Sequence, residues 1–351
     1  MNLEELGWDL YKQSLNEEIE KENIARVAVE NRGGYLLYSV FGELEGIIQG
    51  KFMRSANSEV DYPKVGDWVW IEKLPGENKA IVKKVLPRLS KISRKRAGED
   101  VAEQIIATNI DVAFIVQALD GDFNIGRIER YVTMAREGQC EPVILLNKSD
   151  LISNADEKIA QVKKLFSDIK IFLVSAKDNS GVDEIRKLVS VGRSIVFVGS
   201  SGAGKSTLIN ALLGTDRQKT AEIRLDDSKG RHTTTKRELI VLPNGGMLID
   251  TPGMRELGLW ASEASLDEAF EDIDVFARLC KFNDCDHQFD KGCAIVKAVE
   301  EKLITSDRYD RYLKLKKSLD PFAAKKQAND AQTKKRSQRT VIKRDEYKKN
   351  K

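Results

Sequence analysis

Gly199-Ser200-Ser201-Gly202-Ala203-Gly204-Lys205-Ser206-Thr207 is the stretch that decides the fold. It follows Ser194-Ile195-Val196-Phe197-Val198, an apolar, β-branched run that reads as a buried strand. It precedes Leu208-Ile209-Asn210-Ala211-Leu212-Leu213, which reads as helix. A GxxxxGK[ST] loop between strand and helix turns backbone N–H groups inward around phosphates, and the helix N-terminus adds a partial positive charge. Lys205 is then spaced to reach the β- and γ-phosphates, and Ser206 to give a hydroxyl to Mg²⁺. A Gly/Ser-rich turn before an ordinary helix would account for the glycines, but not for Lys-Ser at this spacing. The stretch predicts a nucleotide triphosphate site.

Working outward, strands and helices alternate from Ile110, the pattern of a mainly parallel sheet covered by helices. Ligands bind such sheets at the carboxyl ends of the strands, where each further motif falls. Pro142–Leu146 ends in Asn147-Lys148-Ser149-Asp150. A carboxylate at Asp150 accepts two hydrogen bonds from the N1–H and amine of guanine, which adenine cannot offer. Asn147 is expected to read the base's other edge while the Lys148 stem covers the ring. Ser175-Ala176-Lys177 closes the next strand, where its backbone can support the base. In Asp250-Thr251-Pro252-Gly253, Asp250 would hold Mg²⁺ through water and the Gly253 N–H would sense the γ-phosphate. Among Thr233-Thr234-Thr235, Thr234 is the residue chosen to close over Mg²⁺. The apolar-poor stretch between Gly214 and Lys236 reads as a switch loop.

The flanks carry two other kinds of signal. Five short β-rich runs between Ile24 and about Lys91 fit a small barrel, most simply an OB-fold. Such a barrel serves nucleic-acid binding or protein docking, and pattern does not separate the two. Beyond it, Arg88 to Arg96 is basic, fitting a solvated linker or a phosphate contact. Near the other end, Cys280, Cys285, His287 and Cys293 fall within fourteen residues. Cys₃His is a closed structural zinc set with no open position for catalysis. Cys140, before an apolar strand, reads as a core thiol.

Composition sets the bounds. The chain has 351 residues, 41% hydrophobic and 32% charged, enough for two or three domains. Its net charge of +3 hides a tail, Ala324 to Lys351, with 11 lysines and arginines against 3 acidic residues. The body is therefore mildly acidic, and the tail suits either a polyanionic partner or simple solvation. The first twenty residues lack the basic start and apolar core of a signal peptide. No run approaches a membrane span. A reducing, cytoplasmic setting is expected from the clustered cysteines.

The order of the motifs is anomalous. Ordinary GTPases run P-loop, switch threonine, DxxG, NKxD, SAK; here NKxD and SAK come first, so the GTPase domain reads as circularly permuted. With a barrel before it and a Cys/His cluster after it, the chain resembles the RsgA (YjeQ/YloQ) family. The fold class expected is multidomain: an N-terminal OB-fold β-barrel, a central α/β circularly permuted P-loop GTPase domain and a mainly helical zinc-binding domain. The expected division is lead-in 1–22, barrel 23–92, linker 93–108, GTPase domain 109–260, zinc domain 261–323, and basic tail 324–351, disordered when free.

The resemblance implies a monomeric GTPase that binds the 30S subunit and its 16S rRNA, assists late maturation, and hydrolyses GTP to GDP with stimulation by the subunit. Met254 follows DxxG where many GTPases place a water-orienting Gln, so intrinsic turnover is expected to be slow. His232 is the catalytic candidate the resemblance adds beside Lys205 and Gly253. It reads equally well as a switch histidine that touches RNA or nothing. Rival readings are an RNA-binding protein in which nucleotide only regulates, a P-loop ATPase or kinase, and a permuted GTPase of the large subunit.

Overall fold

A computed structural model describes residues 2–15, 18–31, 33–50, 52, 58–95, 103–120, 123–152, 155–214, 237–250, 270–282, 285–288 and 292–319. The chain divides into two compact units, Met1–Arg94 with Gln104–Leu257, and Lys95–Glu103 with Gly258–Lys351. The expectations for His232, Thr234, Gly253, Met254 and the basic tail fall outside the described residues.

In the first unit, β1 (Ile24–Asn31), β2 (Gly34–Ser39), β3 (Gly42–Ile48), β4 (Trp68–Lys73) and β5 (Lys79–Val85) form a closed barrel. The strand order is β1-β2-β3-β5-β4, and β4 pairs back onto β1. The β3–β5 pair is parallel and the other pairs are antiparallel. β2 and β3 alternate because one face meets the barrel interior, whereas β1 is buried continuously from Ile24 to Ala28. Leu37, Leu44, Val69, Ile71 and Val82 point into one core, while Glu43, Glu45 and Glu72 between them stay exposed.

The nucleotide sheet has the opposite texture. β8 (Val112–Ala118) and β11 (Ser194–Gly199) are buried along their whole length, as a sheet covered on both faces requires. With β9 (Glu141–Asn147), β10 (Lys170–Leu173), β12 (Glu238–Val241) and β13 (Met247–Asp250), the order is β10-β9-β8-β11-β13-β12. Only β12 runs antiparallel to its neighbour within this part. The helices are α2 (Ile125–Glu137), α3 (Ala155–Leu165), α4 (Val182–Leu188) and α5 (Lys205–Leu213). The Asn124 side chain caps α2 by accepting from the Arg127 N–H at 3.0 Å.

Barrel and nucleotide sheet are one continuous hydrogen-bonded sheet of eleven strands, because β1 pairs antiparallel with β12 at Val29 and Glu238. The linker holds more than solvated chain: β6 (Lys91–Lys95) and β7 (Glu103–Thr108) form a two-stranded ribbon. The lead-in packs against the barrel. Leu3, Leu6, Trp8 and Tyr11 are buried, and in α1 (Trp8–Tyr11) the Trp8 ring meets Trp68 of β4 edge to face at 5.0 Å while Tyr11 lies tilted against it at 5.7 Å. Each such side chain contributes about 1.5–3 kcal/mol on full burial. Gly7, at φ +83°, lets this strap pass the turn before β11, since a Cβ there would stand 2.3 Å from the Gly192 carbonyl.

Beneath the strap lies Arg26 of β1, 2% exposed. Its guanidinium donates to the Gly66 carbonyl (3.2 Å), the Asn109 carbonyl (3.0 Å), the Ser194 hydroxyl (2.8 Å) and the Leu6 carbonyl. One side chain thus holds the strap, the barrel, the approach to β8 and the first residue of β11. Its carbon centre lies 5.3 Å from the Trp68 ring. Burial pulls its pKa down to about 10, opposed by Asp111 and Asp67, so it stays charged at neutral pH.

The second unit holds α6 (Glu271–Ala277), α7 (Ala294–Glu300) and α8 (Ser306–Leu319). Phe270 and Tyr312 meet edge to face at 5.5 Å, and Arg308 lies 4.0 Å over Phe270 while pairing bidentately with Asp272. Among the described residues no helix is long and apolar enough to cross a membrane.

Arg26→Leu leaves the Leu6, Gly66 and Asn109 carbonyls without this donor. Tryptophan fluorescence during urea unfolding is expected to report a loss of about 3 kcal/mol from the first unit. Lys12→Ala, removing an exposed pair with Asp9, should change it by less than about 0.5 kcal/mol.

Candidate nucleotide site and metal centre

The loop after β11 returns to the sheet edge at Gly204, the residue before α5. No side chain caps that helix, so its first-turn N–H groups face the loop with the positive end of the helix dipole. Gly204 has φ +97°, and a Cβ there would stand 2.1 Å from the Asn147 amide nitrogen. The loop is folded back on itself: the Lys205 ammonium donates to the carbonyls of Gly199 (2.7 Å) and Ser200 (2.6 Å). Ser201 and Gly202 are exposed at its crest, Ala203 is buried beneath, and Ser206 and Thr207 are half-buried on the first turn. Asp250 ends β13, the parallel neighbour of β11. Ser206 stands on the first turn of α5 and Asp250 at the end of the strand beside β11; a hydroxyl and a carboxylate are oxygen donors of the kind a hard cation prefers.

Asn147 joins the other motifs to this loop. It is buried at the end of β9, its amide N–H₂ donates to the Ala203 carbonyl at 2.8 Å, and its amide oxygen accepts from the Ala176 N–H at 3.3 Å. Both ends are therefore engaged within the protein. Asn147 is a brace between three loops.

Asp150, by contrast, is exposed. One of its oxygens accepts from the Ser175 hydroxyl at 2.8 Å, and the Ser175 oxygen in turn accepts from the Asp178 N–H at 3.3 Å. The side chain of Ser175 thus aims the carboxylate, a role beyond the backbone support expected of it. Ser149 ties this turn to the next strand through its N–H and the Val174 carbonyl at 3.2 Å, and Lys177 is exposed. Lys148 adopts φ +64°, and its ammonium pairs with Asp120 at 2.7 Å. Asp120 was not singled out from the sequence, although its place just past β8, at a carboxyl edge of the sheet, was the available signal. The surface offers a directed carboxylate at one end and an uncapped helix with a lysine at the other, which suits a base and a phosphate chain.

In the second unit, Cys280, Cys285, His287 and Cys293 bring their ligand atoms within 4.8 Å of one another. Cys280 Sγ lies 3.9 Å from Cys293 Sγ and 3.6 Å from His287 Nδ1, and Cys293 Sγ lies 3.8 Å from that nitrogen. Tetrahedral bonds of zinc length would separate such atoms by about 3.5–3.8 Å. These four side chains can hold a metal ion. The surroundings fix them: the Ala294 N–H at the start of α7 points at Cys280 Sγ at 3.4 Å, and Tyr309 donates its hydroxyl to the His287 carbonyl. Cys140 stands apart from the set, buried, with its thiol pushed up to about 12 by burial.

Comparison with known proteins agrees with this geometry. A family model described as RsgA GTPase matches residues 85–260. The chain is 42% identical over 315 residues to the small ribosomal subunit biogenesis GTPase RsgA 2 of Vibrio vulnificus, covering 89% of this chain and 86% of that protein. It is 39% identical over 337 residues to the small ribosomal subunit biogenesis GTPase RsgA of Opitutus terrae, covering 93% and 92%. Among solved structures, YjeQ from Thermotoga maritima superposes with a TM-score of 0.61 at 24% identity, covering 85% of this chain and 98% of that one. YloQ, titled a circularly permuted GTPase, gives 0.59 at 21%, covering 86% and 98%, so both speak to the fold. On the family match and these relatives, the chain belongs to the RsgA GTPase family.

Proposed function

We propose that this protein is a GTP hydrolase that docks on the small ribosomal subunit, through its 16S rRNA, during late maturation. Turnover is slow alone and faster on the subunit. The observation that carries the nucleotide reading is the meeting of three loops at Asn147: its amide links the Asn147–Asp150 turn, the Ser175–Lys177 turn and the phosphate loop. The subunit is inferred from the small ribosomal subunit named in the relatives' own descriptions.

In this reading Asp150, aimed by Ser175, accepts from guanine N1–H and the exocyclic amine. Gly199 to Gly204 wrap the phosphates with their N–H groups, and Lys205 leaves the Gly199 and Ser200 carbonyls to reach the β- and γ-oxygens. Ser206 and Asp250, with Thr234 assigned from sequence, would hold Mg²⁺, which neutralises charge developing on the phosphates. Gly253 and His232 keep their sequence assignments as γ-phosphate sensor and catalytic candidate. Cys280, Cys285, His287 and Cys293 would hold one structural Zn²⁺. The protein works as a monomer in the cytoplasm.

GTP turnover measured with and without purified small subunits is expected to rise by more than about tenfold with them. An unchanged rate overturns the docking-dependent reading. Gly204→Ala forces a left-handed Cβ against Asn147 and is expected to weaken GDP by at least about tenfold while the fold persists by circular dichroism. Elemental analysis should find one zinc per purified chain, and Cys293→Ser should abolish stoichiometric zinc.

A further inference from the structure

Asp120 belongs to no nucleotide motif, yet its ion pair with Lys148 sits beside the site. The two residues are 28 apart in sequence and close in space because β8 and β9 are parallel neighbours whose ends, Ala118 and Asn147, stand opposite each other. Each side chain keeps about a third of its surface exposed, so both are accessible from the mouth of the site. At φ +64° the Lys148 backbone leaves the strand in a left-handed turn, and its ammonium crosses to the neighbouring loop to meet Asp120 at 2.7 Å.

The described residues on either side of Asp120 are hydrogen-bonded to the fold. The Leu119 N–H donates to the Asn147 carbonyl at 2.9 Å, and the Phe123 N–H donates to the Asp120 carbonyl at 3.2 Å. Lys158 of α3 donates to the Leu119 carbonyl at 2.5 Å and lies 5.1 Å over the Phe123 ring. Asp120 is therefore a fixed post, and Lys148 is the flexible partner tied to it.

We propose that Asp120 is a positioning residue for guanine nucleotide. By anchoring the Lys148 ammonium it holds the four-carbon stem stretched between the two strand ends, where it covers the face of the base. Two consequences follow from the chemistry. A lysine stem free to rotate loses more conformational freedom on binding than one already pinned. An unpinned ammonium also has Asp150 two residues away to neutralise, and Asp150 is the carboxylate that must stay free for the base. Asp120 keeps the charges sorted: Lys148 with Asp120, and Asp150 with the Ser175 hydroxyl.

This inference rests on the guanine reading of the site, and a double-mutant cycle on the full chain separates the two. GDP dissociation constants are measured by fluorescent-analogue competition for wild type, Asp120→Ala, Lys148→Met and the double variant. Asp120→Glu serves as the conservative control. Lys148→Met keeps an unbranched apolar stem and removes the ammonium. Asp120→Ala is expected to weaken GDP by about three- to tenfold, with Asp120→Glu recovering part of the loss. In the Lys148→Met background, Asp120→Ala should cost nothing further. The Asp120→Ala factor should be the same for GDP and IDP, because a stem over the ring face does not read the 2-amino group.

Losses that multiply across the two backgrounds would assign Asp120 a role in shaping the loop alone and overturn the proposal, as would wild-type affinity in Asp120→Ala. A wild-type chain that binds ADP as well as GDP would overturn the guanine reading and this inference with it.

Discussion

The first unit depends on one buried guanidinium. Arg26 sits where the N-terminal strap, the barrel, the approach to β8 and the start of β11 converge, and its hydrogen bonds reach all four. Its contacts are mostly carbonyls, with no carboxylate in direct hydrogen bond; Asp111 and Asp67 act on it only through space. A fork of five fixed N–H donors suits that job better than a lysine's point charge, since each donor has its own direction. An apolar core would also join these pieces, but it would tolerate sliding. Directional bonds to backbone carbonyls select one seating of the barrel on the nucleotide sheet.

That seating matters because β1 continues the sheet through β12. The barrel is consequently an extension of the sheet that carries the phosphate loop. Ser194, which accepts from Arg26, is also the first residue of β11, and β11 runs directly into Gly199. Four residues of buried strand, Ile195 to Val198, separate the joint from the loop. A strand paired along its length is a stiff element, so the barrel and the phosphate loop share a frame.

How much of this was legible depended on whether a residue's neighbours were near it in sequence. Barrel strands such as β2 and β3 announced themselves because they alternate for an inner face, and the buried runs of β8 and β11 because both of their faces are covered. Asn147, Asp150, Lys205 and the Cys₃His set were readable because their spacing is itself the chemistry. The strap was not. Trp8 and Tyr11 have no periodic pattern of their own, and their burial comes from Trp68, some sixty residues on. Arg26 is a lone polar residue in an apolar run, and its partners lie far from it in sequence. Asp120 and Asn147's bracing role needed the strand order, which fixes β8 beside β9 and β11 but leaves no mark in any one window.

The contrast between Asn147 and Asp150 explains why the permuted order can leave the site intact. Asn147 is buried and engages both ends of its amide with neighbouring loops; Asp150 is exposed and accepts through one oxygen from Ser175. The buried brace crosses the point of chain rearrangement, linking a turn that now comes early to a phosphate loop that comes 56 residues later. The hydrogen bond is indifferent to that distance along the chain, because the spatial order β9-β8-β11 sets the gap it spans. Permutation therefore changes only what is attached to the sheet's ends. Here the chain that enters the sheet at β8 arrives from the barrel, and the chain that leaves it at Asp250 does so from the strand beside the phosphate loop. The rearranged order gives the nucleotide site a fixed neighbour on the incoming side, seated by Arg26, without moving any residue that faces the ligand.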